Sequence, residues 1–247
     1  MISVVCVFNN RKILDECLLK SLEDQEVEYE LILVDNTQNR YKSAAEALNY
    51  GGGKAQGEYI MFAHQDVDLC SSSFIRELEE CLDSLPGLGL AGVAGMPFDQ
   101  ADVITNMLHG DPPKEVSPYN LKRPTRVQTV DECLFVIPSA RFTQLSFDPE
   151  VTPGWHLYAV DYSLSIITQG FAVYVLPFTI YHKSIGYSIS REYYQTVVQL
   201  LEKHGDHHPQ IHTTMGHWDA RKPMFTQKIK QQLDWNISKL KEFLNRE

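Results

Sequence analysis

Apolar residues along this chain fall into two alternating kinds of run. The first kind is short and continuous: Ser3 to Phe8 (SVVCVF), Leu31 to Val34, Tyr59 to Ala63, Leu88 to Gly95 and Phe171 to Leu176. Runs of that length with no polar face predict strands buried on both sides. The second kind recurs at helical spacing: Leu14, Leu18 and Leu22; Phe74, Leu78, Cys81, Leu82 and Leu85; Leu157, Val160, Leu164 and Ile167; and Phe225 through Leu244 in the tail. Asn10 is placed to cap the first of these helices. Ser43-Ala44-Ala45-Glu46 reads as a capping box opening a helix of small residues, which is expected to break at Asn49-Tyr50-Gly51-Gly52-Gly53. Alternating strands and helices predict right-handed crossovers and an α/β fold with a mostly parallel sheet flanked by helices. Between Met96 and Thr125 the periodicity disappears, as in a lid or other functional loop. Strand character resumes from Val127 to Ile137, interrupted by Asp131-Glu132.

Composition narrows the classes. The 247 residues are long enough for one large α/β domain or two small ones, and 43% hydrophobic with 22% charged residues is ordinary globular content. A net charge of −10 argues against nonspecific nucleic-acid binding by the body, because phosphate neutralisation needs clustered cations. The charge is uneven: from His217 onward seven Lys or Arg face four Asp or Glu, leaving a basic tail. Five widely spaced cysteines without a CxxC predict free thiols in a reducing compartment. No secretory leader pattern follows Met1, and no apolar run reaches transmembrane length, so a cytoplasmic location is expected.

The chemistry gathers where strands end. Tyr59 to Ala63 runs directly into His64-Gln65-Asp66-Val67-Asp68, Ser3 to Phe8 ends in Asn9, and Leu31 to Val34 ends in Asp35. Open α/β sheets bind ligands in the crevice at the carboxyl ends of their strands. A histidine and two carboxylates there suit a divalent cation and a polyphosphate; the plain alternative is a polar strand exit that satisfies loop amides.

The order of these pieces resembles family 2-type inverting glycosyltransferases of the GT-A fold. The resemblance runs through SVVCVFNN, ELILVDNT, Asn49-Tyr50-Gly51, Ala55-Gln56-Gly57-Glu58-Tyr59-Ile60 and the acidic strand end. It resumes in FDPE, WHLYAVDYSL, the Gly170-Phe171-Ala172-Val173-Tyr174-Val175 strand and His182, covering most of residues 2–185. It implies a GT-A-like domain over residues 1–190, with a nucleotide-sugar half (1–96) and an acceptor half (97–190), followed by a helical extension (191–247). The implied activity is inverting sugar transfer from a nucleotide-sugar, a UDP-sugar above others, to a glycan or lipid-linked hydroxyl acceptor in bacterial-type polysaccharide or glycolipid assembly. Mn²⁺ or Mg²⁺ is the implied cofactor.

The resemblance places Asn9 and Asp35 at the nucleobase and ribose, although Asp35 also reads as a turn residue bonded to its own backbone. The family's DXD motif falls on His64 and Asp66, so one carboxylate is replaced. A literal Asp66-Val67-Asp68 lies two residues on, and strand alternation would put both registers on one face. Asp66, Asp68 and His182 are thus the expected metal ligands, with His64 beside the phosphates. The acidic pair that supplies the family's base is here Tyr158-Ala159. Asp161 is the next acid and the expected base, with Glu150, Asp148 and His156 behind it. Trp155 and His156 are candidates for acceptor binding. The dense His204, His207, His208, His212 and His217 match no familiar zinc spacing. The basic tail helix suits either an anionic membrane surface or packing on the body or on a second copy. Two rival readings are a non-catalytic nucleotide- or glycan-binding module and a nucleotidyltransferase; the Gly-rich basic signature of the latter is missing from Phe8-Asn9-Asn10-Arg11.

Overall fold

The computed structural model describes residues 1–99, 102–184 and 189–244. From β1 (Ile2–Phe8) the chain passes through α1 (Arg11–Leu14), a π-helical stretch (Asp15–Leu19) and α2 (Lys20–Glu23) to β2 (Glu30–Asp35), then through α3 (Ala44–Gly52) to β3 (Tyr59–Ala63). The short β4 (Val67–Asp68) precedes α4 (Phe74–Asp83), β5 (Leu88–Gly92) and β6 (Ala94–Met96). Next come β7 (Ile104–Thr105), β8 (Leu108–His109), β9 (Lys114–Glu115), β10 (Thr125–Arg126) and β11 (Thr129–Val130), then β12 (Leu134–Pro138) and α5 (Ser139–Gln144). The chain closes with α6 (Tyr158–Thr168), β13 (Ala172–Val175), β14 (Tyr181–His182), α7 (Arg191–His204), the hairpin β15 (Gln210–Thr213) to β16 (Gly216–Asp219), and α8 (Met224–Leu244).

Seven strands form the central sheet in the order β10-β13-β5-β12-β3-β1-β2. β1 pairs in parallel with both β2 and β3, so Phe8, Asp35 and Ala63 end on one edge. The sheet is mixed beyond that half. β12 enters antiparallel between β3 and β5, and β10 runs antiparallel to β13. Every residue of β3 is buried, as its unbroken apolar run requires. One face packs against Leu14, Leu18, Leu22, Phe74, Leu78 and Leu82; the other packs against Ala45, Leu48, Phe142, Tyr158 and Ile166.

Local signals in the first half behave as their chemistry dictates. Asn10 Oδ1 accepts from the Ile13 amide, and Ser43 and Glu46 form the reciprocal capping box. α3 ends within the expected Asn49–Gly53 stretch, at Gly52 with Gly53 as its C-cap. Gly51 and Gly52 lie inside it because a Cβ there would meet Val5 Cγ1 and the Phe142 ring at 2.5 Å. In this last turn they also bring the helix close to the sheet. The patternless stretch after Met96 also carries structure: β8 pairs with β14, in a small sheet ordered β4-β14-β8-β9 that backs His182.

Residues 191–219 layer onto α6. Tyr193, Val197, Leu200, Ile211 and Trp218 share a core with Leu157, Val160 and Leu164. Along α8, Phe225, Ile229, Leu233 and Ile237 are exposed, so this apolar stripe does not pack on the body. The first turns of α8 are held by polar bonds instead, from Gln227 to the Asp219 backbone and from Gln231 to the Met215 carbonyl. All five cysteines are free, with Cys6, Cys17 and Cys133 buried and Cys70 exposed. No helix among the described residues is long and apolar enough to cross a membrane.

Candidate active site

β3 stops at Ala63, and the chain turns at once: the Val67 amide donates to the His64 carbonyl. That turn aims His64 and Asp66 toward His182, which arrives on β14, itself paired with β4. His182 Nε2 lies 3.2 Å from Asp66 Oδ1 and 3.4 Å from His64 Nδ1. Among the described residues these three are the one group of His, Cys, Asp or Glu side chains able to share a cation, their ligand atoms all lying within 4.8 Å.

Asp68 is not brought in. The turn ends the strand alternation on which the literal Asp66-Val67-Asp68 depended, and the Asp68 carboxylate accepts instead from the Cys70 amide. The cluster therefore follows the His64–Asp66 register.

Charges in the cluster set one another. Burial works against ionising Asp66, but the hydrogen bond and charge of His182 hold its carboxyl far below the usual range. Burial likewise opposes a proton on His182, and Asp66 overrides it, raising that pKa. Burial and the neighbouring His182 push His64 down to about 4, so it is a neutral imidazole at pH 7 with a lone pair to offer. A carboxylate and two imidazoles form a donor set that fits a borderline cation such as Mn²⁺ better than the oxygen-seeking Mg²⁺. The second nitrogen of His64, Nε2, sits 3.2 Å from the Tyr158 hydroxyl at the start of α6, and Ser184 lies 3.2 Å from His182. Such outer partners fix ring orientation in metal sites.

Gln65 ties the first strand end to this one. Its Nε2 donates to Asn9 Oδ1, and its Oε1 accepts from the Asn9 and Asn10 amides at 3.1 and 3.0 Å. Asn9 is thereby held beside the cluster. Asp35 is exposed at the end of β2, where the Thr37 amide donates to it and lowers its pKa.

The acceptor-side residues fare differently. Trp155 is exposed, and His156 lies half-buried against Tyr193 with Nδ1 4.0 Å from Glu132 Oε2. Asp161 is placed in the core between α6 and α7: Lys203 Nζ is 2.9 Å and His204 Nε2 2.7 Å from its Oδ1. Its side chain is only 5% exposed, the environment of a structural tether between two helices. Asp148 shares Lys203, and Glu150 stands exposed. The pattern of residues did not single out Gln65, Tyr158 or Glu132. Glu132 carried one signal, as half of an acidic pair interrupting an otherwise buried strand.

Residues 3–204 match the model of a family described as glycosyltransferase like. The chain belongs to this glycosyltransferase-like family. No curated protein matches this glycosyltransferase-like chain in sequence. Solved structures do match in fold. The structure of GalNAc-T7 with UDP, GalNAc and Mn²⁺ superposes with a TM-score of 0.57 at 15% identity, over 82% of this chain and 47% of that one. Residues 1–349 of S. aureus TarS with UDP-GlcNAc match at 0.56 and 13%, over 82% and 66%. The Pyrobaculum calidifontis mannosyltransferase PcManGT, with GDP-Man and Mn²⁺, matches at 0.54 and 14%, over 82% and 63%. The glycosyltransferase-like chain thus spans about half to two-thirds of these proteins, and the likeness places its fold as GT-A-like.

Proposed function

We propose that this chain transfers a sugar from a nucleotide-sugar to a hydroxyl acceptor with inversion at the anomeric carbon. The observation that carries the reading is the His64–Asp66–His182 cluster at the exit of β3, in a chain of the glycosyltransferase-like family. Asn9 and Asp35, on the same sheet edge, bind the nucleobase and ribose. His64, Asp66 and His182 would hold Mn²⁺, and a bound cation would stabilise the charge that grows on the leaving diphosphate. Gln65 fixes the loop between donor and cluster, and Tyr158 keeps the His64 ring turned toward His182. Trp155 offers an exposed ring on which an acceptor sugar can stack, with His156 beside it.

A UDP-sugar is the favoured donor, and a glycan or lipid-linked hydroxyl the acceptor, as in bacterial-type polysaccharide or glycolipid assembly. The exposed stripe of α8, with Lys228, Lys230, Lys239 and Lys241 in the same helix, would rest on the anionic cytoplasmic face of a membrane; pairing with a second copy is the other use of that stripe.

Thermal shift with UDP, GDP, dTDP and their sugars, each with and without Mn²⁺, tests the donor. A ligand at about 100 times its Kd adds roughly 2.7 kcal/mol to stability. Release of nucleoside diphosphate from a nucleotide-sugar, dependent on Mn²⁺, establishes turnover. Binding without turnover across a broad acceptor panel would leave a binding module.

A further inference from the structure

Inverting transfer needs a group that takes the acceptor's proton as its oxygen attacks. The carboxylates around the cluster differ in what already holds them. Asp66 is engaged by His182. Asp131 is taken at both oxygens, by the Cys133 amide and the Thr214 hydroxyl. Asp161 is held by Lys203 and His204. Glu132 differs in keeping one carboxyl oxygen without a hydrogen-bond partner.

Glu132 sits two residues before β12, whose first residues lie antiparallel to the end of β3: Leu134 pairs with Ala63, and the His64 amide donates to the Cys133 carbonyl. The strand pairing thus carries Glu132 to the edge where the cluster forms. Its carboxyl faces the first amides of α6, those of Leu157, Tyr158 and Ala159. The neighbouring Tyr158 hydroxyl rests on His64. Glu132 Oε1 is nevertheless buried with no hydrogen-bond partner, while the side chain as a whole keeps 15% of its surface exposed. Leu157, which opens this helix, has φ +69°. A non-glycine residue in the left-handed region carries backbone strain. A carboxyl with one buried, unpartnered oxygen and a strained backbone at one helix start form a site held at the expense of stability.

Resting on the sugar-transfer reading, we propose that Glu132 is the general base of this chain, presented from the bend before β12 to the start of α6, where Tyr158 and Ala159 supply no carboxylate. The acceptor hydroxyl gives its proton to the Glu132 carboxylate as its oxygen bonds to the anomeric carbon. The bond from that carbon to the diphosphate oxygen breaks, and the electron pair leaves with the nucleoside diphosphate. Burial first, and the charge of Asp131 second, raise the Glu132 pKa well above that of an ordinary glutamate, which makes it a stronger base once ionised. The titratable groups around it are Asp131, Cys133, His156, Tyr158 and, from α7, Tyr193.

The test uses the full chain with Mn²⁺ and two probes, UDP-GlcNAc and GDP-mannose, following release of UDP or GDP and, by calorimetry, binding of UDP and GDP. Glu132→Gln is expected to lose about 100-fold or more in kcat while binding the nucleotide as the wild type does. The acid limb of the wild-type kcat/KM profile should lie above the usual glutamate range, disappear in Glu132→Gln, and persist in Glu132→Asp and in His156→Gln. A Glu132→Gln enzyme within three-fold of wild type overturns the assignment. So does a variant that loses nucleotide binding and turnover together, since that marks a structural role. If the wild type neither binds UDP or GDP nor releases them from the probes, the sugar-transfer reading itself falls, and the base with it.

Discussion

His182 Nε2 lies 3.2 Å from Asp66 Oδ1, although 118 residues separate His182 from His64, where the cluster begins. A buried imidazole beside a half-buried carboxylate, with a neutral second imidazole alongside, forms a group where a cation competes with one proton. The first prediction follows from that contact. Asp66→Asn should abolish the Mn²⁺-dependent part of nucleotide-sugar stabilisation and cut turnover about 100-fold or more, roughly 2.7 kcal/mol. Asp68→Asn should do little, because its carboxylate serves the Cys70 amide. His182→Ala should fall between. Thermal shift with and without Mn²⁺ reads all three, and full metal response in Asp66→Asn would remove the cluster from the mechanism.

Asp35→Asn should fold normally, since the side chain is exposed and carries no packing. Loss of a charged hydrogen bond should weaken UDP binding roughly ten-fold. Calorimetry showing unchanged affinity would leave Asp35 as a turn residue bonded to Thr37.

Asp161→Ala strands Lys203 and His204 between α6 and α7. Removing one partner of a buried ion pair should cost about 3 kcal/mol, visible as a lower urea midpoint, with UDP affinity unchanged. A stable Asp161→Ala protein without turnover would instead return the base to Asp161.

Glu132→Gln should raise the melting temperature. A carboxyl whose pKa is raised on folding contributes stability at low pH and loses it as pH climbs through the folded value. The gap between wild type and variant should therefore widen from pH 5 to pH 8. A gap that shrinks over that range would mean Glu132 is stabilised as the anion.

Replacing Phe225, Ile229, Leu233 and Ile237 together by Ser should leave the fold intact, because exposed positions away from packing change stability little. Sedimentation with anionic vesicles should be lost. If the wild type stays in the supernatant and runs as a dimer that the variant breaks, the stripe is an interface between two copies.

Much of the frame is determined by local sequence. Short, nearly all-apolar runs rich in β-branched residues, such as Ile2–Phe8, favour strands covered on both faces, and Asn10 and the Ser43–Glu46 box start helices through bonds within four residues. Those interactions are short-range, so the order of residues suffices to write them. The strand-end positions of Asn9, Asp35 and His64 follow in the same way, since parallel pairing puts like ends on one edge.

What only the tertiary structure decided depends on contacts between distant segments. That Gly51 and Gly52 face Val5 and Phe142 in the last turn of α3 is a matter of how closely helix and sheet approach. The metal register turned on where β3 stops and on β14 bringing His182 across to Asp66 rather than to Asp68. Asp161 reads as a flank residue in one helix and becomes a buried tether once α7 delivers Lys203 and His204. Glu132 gains its place because β12 inserts antiparallel beside β3. Burial, charge pairing and strand order are properties of the assembled layers, and no window of sequence contains them.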